Sequence, residues 1–77
     1  MQDHEIRFLF DPLIAIAAAS MDYTGDLPRL VRTERFWRIK GRHSWRLVSI
    51  TNDVALSAQS VIATTKELIE HERKLDD

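Results

Sequence analysis

The sequence predicts an α+β protein made of a short helix, a β-hairpin and a long C-terminal helix. Asp11-Pro12 introduces an apolar segment, residues 29–50 alternate as strands do, and residues 53–75 repeat apolar side chains at helical spacing. A chain of 77 residues has room for one domain, residues 1–77. An all-α fold is the alternative.

The first helix is predicted to run from Pro12 to about Met21. Asp11 can accept hydrogen bonds from free N–H groups at a helix start, and proline at the first helical position has no N–H to leave unsatisfied. The helix is apolar on all sides, so it has to be buried on several of them. Residues 5–10 alternate and predict a short strand, although one longer helix kinked at Pro12 also fits.

A β-hairpin is predicted next, after a loop at residues 23–28 that is marked by glycine, aspartate and proline. As a helix, residues 29–40 would have no apolar face. As a single strand, they place Val31, Trp37 and Ile39 on one side of a sheet. The segment is therefore interpreted as the first strand of the hairpin.

The hairpin register depends on the length of the turn, and a three-residue turn at 41–43 keeps Trp37 and Trp45 on one buried face. The cross-strand pairs are then Ile39 with Trp45, Trp37 with Leu47, and Arg38 with Arg46. The pairing of Arg38 with Arg46 sets like charges opposite each other, which is unfavourable unless an anion lies between them. This cost indicates a binding surface.

The C-terminal helix is the longest predicted element, from about residue 53 to residue 75, with Thr51, Asn52 and Asp53 as its cap and negative first turn. Its length is about 34 Å at 1.5 Å per residue, whereas a compact domain of this size is about 30 Å across. We therefore expect its last turns to project beyond the domain and a second copy to cover them. The predicted homodimer interface consists of Val61, Ile62, Leu68, Ile69 and Leu75.

Composition argues against several classes of protein. The chain has no cysteine, and its three histidines lack metal-ligand spacing, so no metal or other cofactor is expected. The longest apolar run, residues 13–19, is too short to cross a membrane, and acids near the N-terminus argue against a secretion signal. We expect a cytoplasmic protein without membrane contact. Without a phosphate-binding glycine loop or an activated nucleophile, we also expect it not to be an enzyme.

Positive charge and aromatic side chains are concentrated between Arg29 and Arg46. This segment holds seven of the eleven cationic residues and one acid, a net charge of +6, whereas the rest of the chain carries −7. Three of the six aromatic residues lie in the same segment. The predicted binding residues are Arg35, Arg38, Arg42 and Arg46.

Three interpretations of this basic hairpin stay open. It can bind an acidic protein, since Trp and Arg dominate interface energies, or nucleic acid, or it can be a solvated face balanced by the acidic helices. Our working hypothesis is a small regulator of the inhibitor or adaptor type that binds another protein stoichiometrically through residues 29–50. The alternative is a dimeric nucleic-acid-binding regulator, which gains if the acidic helix faces lie opposite the hairpin.

Overall fold

The fold is α+β, as the sequence predicts, with a sheet and two helices in separate layers. The computed structural model describes residues 4–5, 7–33, 35–49 and 54–76. Its elements are β1 His4–Glu5, α1 Arg7–Ser20, β2 Arg29–Arg32, β3 Phe36–Lys40, β4 Trp45–Ser49 and α2 Val54–Asp76. The strands form an antiparallel sheet in the order β1-β2-β3-β4. The segment predicted as a hairpin is therefore a three-stranded meander.

Helix α1 begins earlier than predicted. It includes Pro12 and residues 7–10, so the strand predicted at residues 5–10 is wrong for residues 7–10. Glu5 belongs to β1, and Ile6 lies outside the described residues. The apolar residues before and after Pro12 also fit one helix face, which was the alternative that the spacing allowed. Proline inside the helix removes one backbone hydrogen bond, and the helix continues through it.

Helix α1 ends in a Schellman-type cap. The N–H groups of Asp22 and Tyr23 donate to carbonyl oxygens in the last turn of the helix, and Asp22 has a φ of 58°. Arg73 of α2 donates to the carbonyl oxygen of Met21 and lies 5.8 Å from the Tyr23 ring. These contacts connect the end of α1 to the last turns of α2.

The hydrophobic core lies between the helices and one face of the sheet. It contains Ile14 of α1 and Val61 and Leu68 of α2, together with side chains from three strands. The strand residues are Leu30, Trp37, Ile39 and Val48. Directly opposite strand residues share a face, so both helices pack on this inner face. We call the other side the outer face, and on β2, β3 and β4 it consists of Arg29, Val31, Phe36, Arg38, Lys40, Trp45, Leu47 and Ser49.

The register between β3 and β4 differs by one residue from the prediction, because the loop at 41–44 has four residues instead of three. The pairs are Phe36 with Ser49, Trp37 with Val48, Arg38 with Leu47, Ile39 with Arg46 and Lys40 with Trp45. A shift of one residue moves side chains to the opposite face. Trp37 is buried as predicted, but the prediction for Trp45 is wrong, since it lies on the outer face and is 41% exposed. The like-charge pair between Arg38 and Arg46 is also absent.

A turn that the sequence analysis missed separates β2 from β3. The Thr33 N–H donates to the Phe36 carbonyl oxygen at 2.8 Å, and the Thr33 hydroxyl accepts from the Phe36 N–H at 3.1 Å. The threonine side chain thus satisfies backbone groups at the strand end. No glycine or proline marks this turn, which explains why residues 29–40 read as one strand.

Helix α2 follows the long dimension of the molecule, which measures 37 × 22 × 19 Å. A helix of 23 residues is about 34 Å long and fits within that dimension. Leu68 and Ile69 are each only 1% exposed, so the expectation that the last turns project beyond the domain is wrong for both. The molecule is elongated and not spherical, so its body covers the apolar side of the helix as far as Ile69, whereas Leu75 is exposed as expected.

Candidate functional site

The outer face of the sheet is the candidate binding surface, since both helices pack on the inner face. Cross-strand pairing arranges its side chains in rows. The first row, next to the 41–44 loop, is Arg29, Lys40 and Trp45. The second is Val31, Arg38 and Leu47, with Glu5 of β1 paired to Val31, and the third contains Phe36 and Ser49. Three cations and three exposed large apolar side chains therefore share one surface.

Trp45 is the centre of the charged part of this surface. The guanidinium carbon of Arg38 lies 4.7 Å from the ring centroid, and Nζ of Lys40 lies 5.4 Å from it. Cation–π contacts at exposed sites contribute about 0.5–1 kcal/mol each. They hold both cations beside the ring before any partner arrives, which reduces the entropy cost of binding.

The apolar part of the outer face is unusually open to solvent. Phe36 is 37% exposed and Leu47 is 64% exposed, and Leu47 lies on the same strand as Trp45. Single exposed apolar residues are normal on protein surfaces, but neighbouring ones on one face indicate an interaction site. On the outer face, exposed apolar side chains are neighbours in this way.

Arg29 and Lys40 form a like-charge pair, because they lie directly opposite each other on β2 and β3. Such a pair is unfavourable for the sheet. Both residues line a hollow of about 230 Å³ together with Asp26, Leu27, Gly41 and Arg42. Asp26 places one carboxylate at the cationic end of the outer face.

The structure does not bring the four predicted arginines together. Arg38 lies on the outer face, and Arg35 is exposed in the turn between β2 and β3. Arg46 lies on the other side of the sheet, at a groove of about 430 Å³ between β4 and α2. Arg42 lies in the 41–44 loop. The pairing of Arg29 with Lys40 was not predicted, because it requires the turn between β2 and β3.

Contacts with the last turns of α2 give Arg42 a structural role. Its Nη1 lies 2.6 Å from Oδ1 of Asp76, and its Nε lies 3.9 Å from Oε2 of Glu72. The Glu72 carboxylate is buried, and its Oε1 accepts a hydrogen bond from the backbone N–H of His43 at 2.8 Å. Two carboxylates of α2 therefore hold the 41–44 loop in place.

Most of the predicted dimer interface belongs to the interior of the chain itself. Val61, Leu68 and Ile69 are buried, and Ile62 is partly buried. Leu75 differs from them in being 52% exposed. These five residues do not form an exposed apolar stripe on a single chain.

The described part of the chain contains neither a metal-binding cluster nor a membrane-spanning helix. Its histidine and acidic residues form no cluster of three or more that could hold a metal ion. Neither of its two helices has the length and apolar character needed to span a bilayer.

Comparison with known proteins adds no relative. No family model matches the chain, and no curated protein or solved structure is significantly similar to it.

Proposed function

We propose that this protein is a small non-enzymatic regulator, of the inhibitor or adaptor type, that binds another protein through the outer face. The supporting observation is the exposed group of Phe36, Trp45 and Leu47 beside Arg38 and Lys40. Tryptophan and arginine are the residue types that most often dominate interface energies. Here they meet on a sheet face that neither helix covers.

The expected partner surface has an apolar centre and an acidic rim. Phe36 and Leu47 require apolar contacts, whereas Arg38 and Lys40 favour carboxylates. Leu47 supports a protein partner over nucleic acid, because an aliphatic side chain neither stacks on bases nor neutralises phosphates. Leu47 is 64% exposed, more than Phe36 or Trp45 on the same face.

The proposal includes a homodimer and a cytoplasmic location. A chain of this size buries only about 60% of its unfolded surface, and small domains commonly gain stability by self-association. A chain without cysteine is compatible with the reducing cytoplasm.

A pulldown with matched variants tests the protein-binding proposal. Wild type, Leu47→Ala and Leu75→Ala would each be immobilised and exposed to nuclease-treated lysate of the host. Leu47 and Leu75 are both exposed leucines, on the outer face and on α2 respectively. We expect wild type and Leu75→Ala to retain the same protein and Leu47→Ala to lose it. Equal retention by all three variants would contradict the proposal.

Binding kinetics with the captured partner test the electrostatic part. Arg38→Ala should slow association and weaken the dependence on salt, because Arg38 lies on the outer face. Lys66→Ala should leave association unchanged, since Lys66 is an exposed cation on α2 and not on the outer face. Equal effects of the two substitutions would show that the binding surface is centred elsewhere.

Nucleic-acid binding is the second candidate, and the position of the α2 carboxylates favours it. Exposed Glu67 and Glu70 line the groove between β4 and α2, on the helix layer rather than the outer face. Exposed aromatic residues on an antiparallel sheet, flanked by cations, can stack single-stranded bases. Asp26 lies in the same hollow as Arg29 and argues against nucleic-acid binding, because its carboxylate repels phosphate.

Fluorescence anisotropy with a labelled single-stranded oligonucleotide tests the second candidate. If the protein binds single-stranded nucleic acid, the logarithm of the association constant should fall with the logarithm of the salt concentration, with a slope of about 0.7 per phosphate contact. Trp45→Ala should weaken this binding. No binding at low salt would exclude it.

A further inference from the structure

The exposed apolar side chains of the outer face form one oblique line across two strands. Trp45 and Leu47 lie on β4, and Phe36 lies on β3, one row further from the 41–44 loop. Strands rise about 3.4 Å per residue and neighbouring strands are about 4.8 Å apart, so this line is about 14 Å long. All three side chains are more than a third exposed. We call this line the apolar ridge.

The backbone of the sheet limits what can cover the apolar ridge. Strand N–H and C=O groups lie in the plane of the sheet and point toward neighbouring strands, so a segment on the outer face cannot pair with them. That segment has to satisfy its own backbone groups. An α-helix does so within itself, whereas a single extended segment does not. Helix residues at i, i+4 and i+8 span about 12 Å, close to the length of the ridge.

The cations nearest to the apolar ridge lie on one side of it. Lys40 is directly opposite Trp45, and Arg38 is directly opposite Leu47. The charged ends of Arg38 and Lys40 lie 4.7 and 5.4 Å from the centroid of the Trp45 ring. A helix along the ridge therefore meets positive charge along one flank, beside its contacts with Trp45 and Leu47.

The acids of the outer face do not cancel this charge at the ridge. Glu5 belongs to β1, at the opposite edge of the sheet from β4, and three strand spacings separate these edges by about 14 Å. Asp26 precedes β2 and shares its hollow with three cations, Arg29, Lys40 and Arg42. An acidic flank of a bound helix is therefore favoured next to β3.

We propose that the outer face binds an amphipathic helix of the partner protein, with its apolar stripe on the apolar ridge and an acidic flank against Arg38 and Lys40. This inference rests on the proposed function, because it names the segment through which that partner is bound. A second copy of the chain is a poorer occupant, since its own outer face carries the same cations and the apolar side of its α2 is buried at Leu68 and Ile69.

Photocrosslinking measures whether the bound segment is a helix. Benzoylphenylalanine would replace Phe36, Trp45 or Leu47, one position per variant, in the full chain exposed to nuclease-treated host lysate. Crosslinks from positions 45 and 47 should fall three or four residues apart in one segment of one partner, because helix residues at that spacing share a face. Crosslinks from positions 45 and 36 should fall about two turns apart. Leu75→benzoylphenylalanine on α2 is the control and should not label that segment.

Other crosslinking patterns overturn the helix. Labels two residues apart would show an extended segment, and labels on separate segments would show a surface of several elements. Either pattern would exclude the helix and retain the proposed function, since a partner is still bound through the outer face. Labels only on a second copy of this chain, or no labels from the three positions, would remove both.

A double-mutant cycle with the captured partner tests the acidic flank. Arg38→Ala should weaken binding of the wild-type partner. When the acids beside the crosslinked stripe of the partner are replaced by glutamine, Arg38→Ala should cause little further loss, because the charge that it met is gone. Lys66→Ala on α2 should leave both affinities unchanged. Equal losses from Arg38→Ala with the two forms of the partner would overturn the acidic flank.

Discussion

Asp22 occupies a backbone conformation that favours glycine, with a φ of 58° at the end of α1. Its carboxylate also lies at the helix C-terminus, where the helix dipole disfavours negative charge. Asp22→Gly should therefore raise the free energy of unfolding by about 1 kcal/mol, measured by urea denaturation. Asp26→Gly is the control. The φ of Asp26 is not positive, so glycine there should give no gain.

The buried carboxylate of Glu72 leaves little space for a side chain at position 41, which is Gly41. A Cβ at position 41 would lie 2.6 Å from Oε1 of Glu72, which already accepts a hydrogen bond from His43. Gly41→Ala should lower the free energy of unfolding by about 1–3 kcal/mol, the usual cost of overpacking.

Gly25→Ala provides the comparison for position 41. Its Cβ would meet the hydroxyl end of the Tyr23 side chain, in an exposed loop. A side-chain end on the surface can move aside, so this variant should lose less stability than Gly41→Ala. The opposite ranking would show that the Glu72 carboxylate yields easily.

At the scale of elements, the register of β3 and β4 gives the two tryptophans different roles. Trp37 is in the core, so Trp37→Ala should cost about 3–5 kcal/mol. Trp45→Ala should cost about 1 kcal/mol, mainly through lost cation–π contacts with Arg38 and Lys40. Denaturant titration of both variants checks the ranking, and equal costs would support the register that pairs Trp37 with Leu47.

The attachment of the 41–44 loop to α2 depends more on Glu72 than on Asp76. Glu72→Ala removes a buried acceptor from the His43 N–H and should cost about 1–3 kcal/mol. Asp76 and Arg42 form an ion pair that is about half exposed, so Asp76→Ala should cost about 0–1 kcal/mol. Hydrogen exchange at the His43 amide should accelerate in the first variant and change little in the second.

At the scale of the whole molecule, the elongated shape determines what a change on α2 does. Leu68 lies in the core of the single chain, and a carboxylate there costs several kcal/mol, comparable to the whole stability of a small domain. Leu68→Glu should therefore unfold the protein, seen as lost helical circular dichroism. Leu75→Glu should keep the fold, with a change within about 0.5 kcal/mol. A folded, monomeric Leu68→Glu variant would instead support the dimer predicted through α2.

Local patterns in the sequence were sufficient for the fold class, the long C-terminal helix, the burial of Trp37 and the concentration of cations between Arg29 and Arg46. Each of these depends on periodicity or composition within a short segment, which a single sequence displays directly. The binding segment at residues 29–50 stays a prediction, and of its four predicted arginines the structure places only Arg38 on the outer face.

Tertiary structure alone decided which side chains share a face. The loop at 41–44 has four residues and is held by Glu72, which is 29 positions from His43 in the chain, so no local pattern reveals the loop length. One residue in that length moves Trp45 from the inner face to the outer face. The elongated body likewise decided that Leu68 is buried by its own chain. Periodicity determines which residues alternate, and only contacts distant in sequence determine the face on which each one lies.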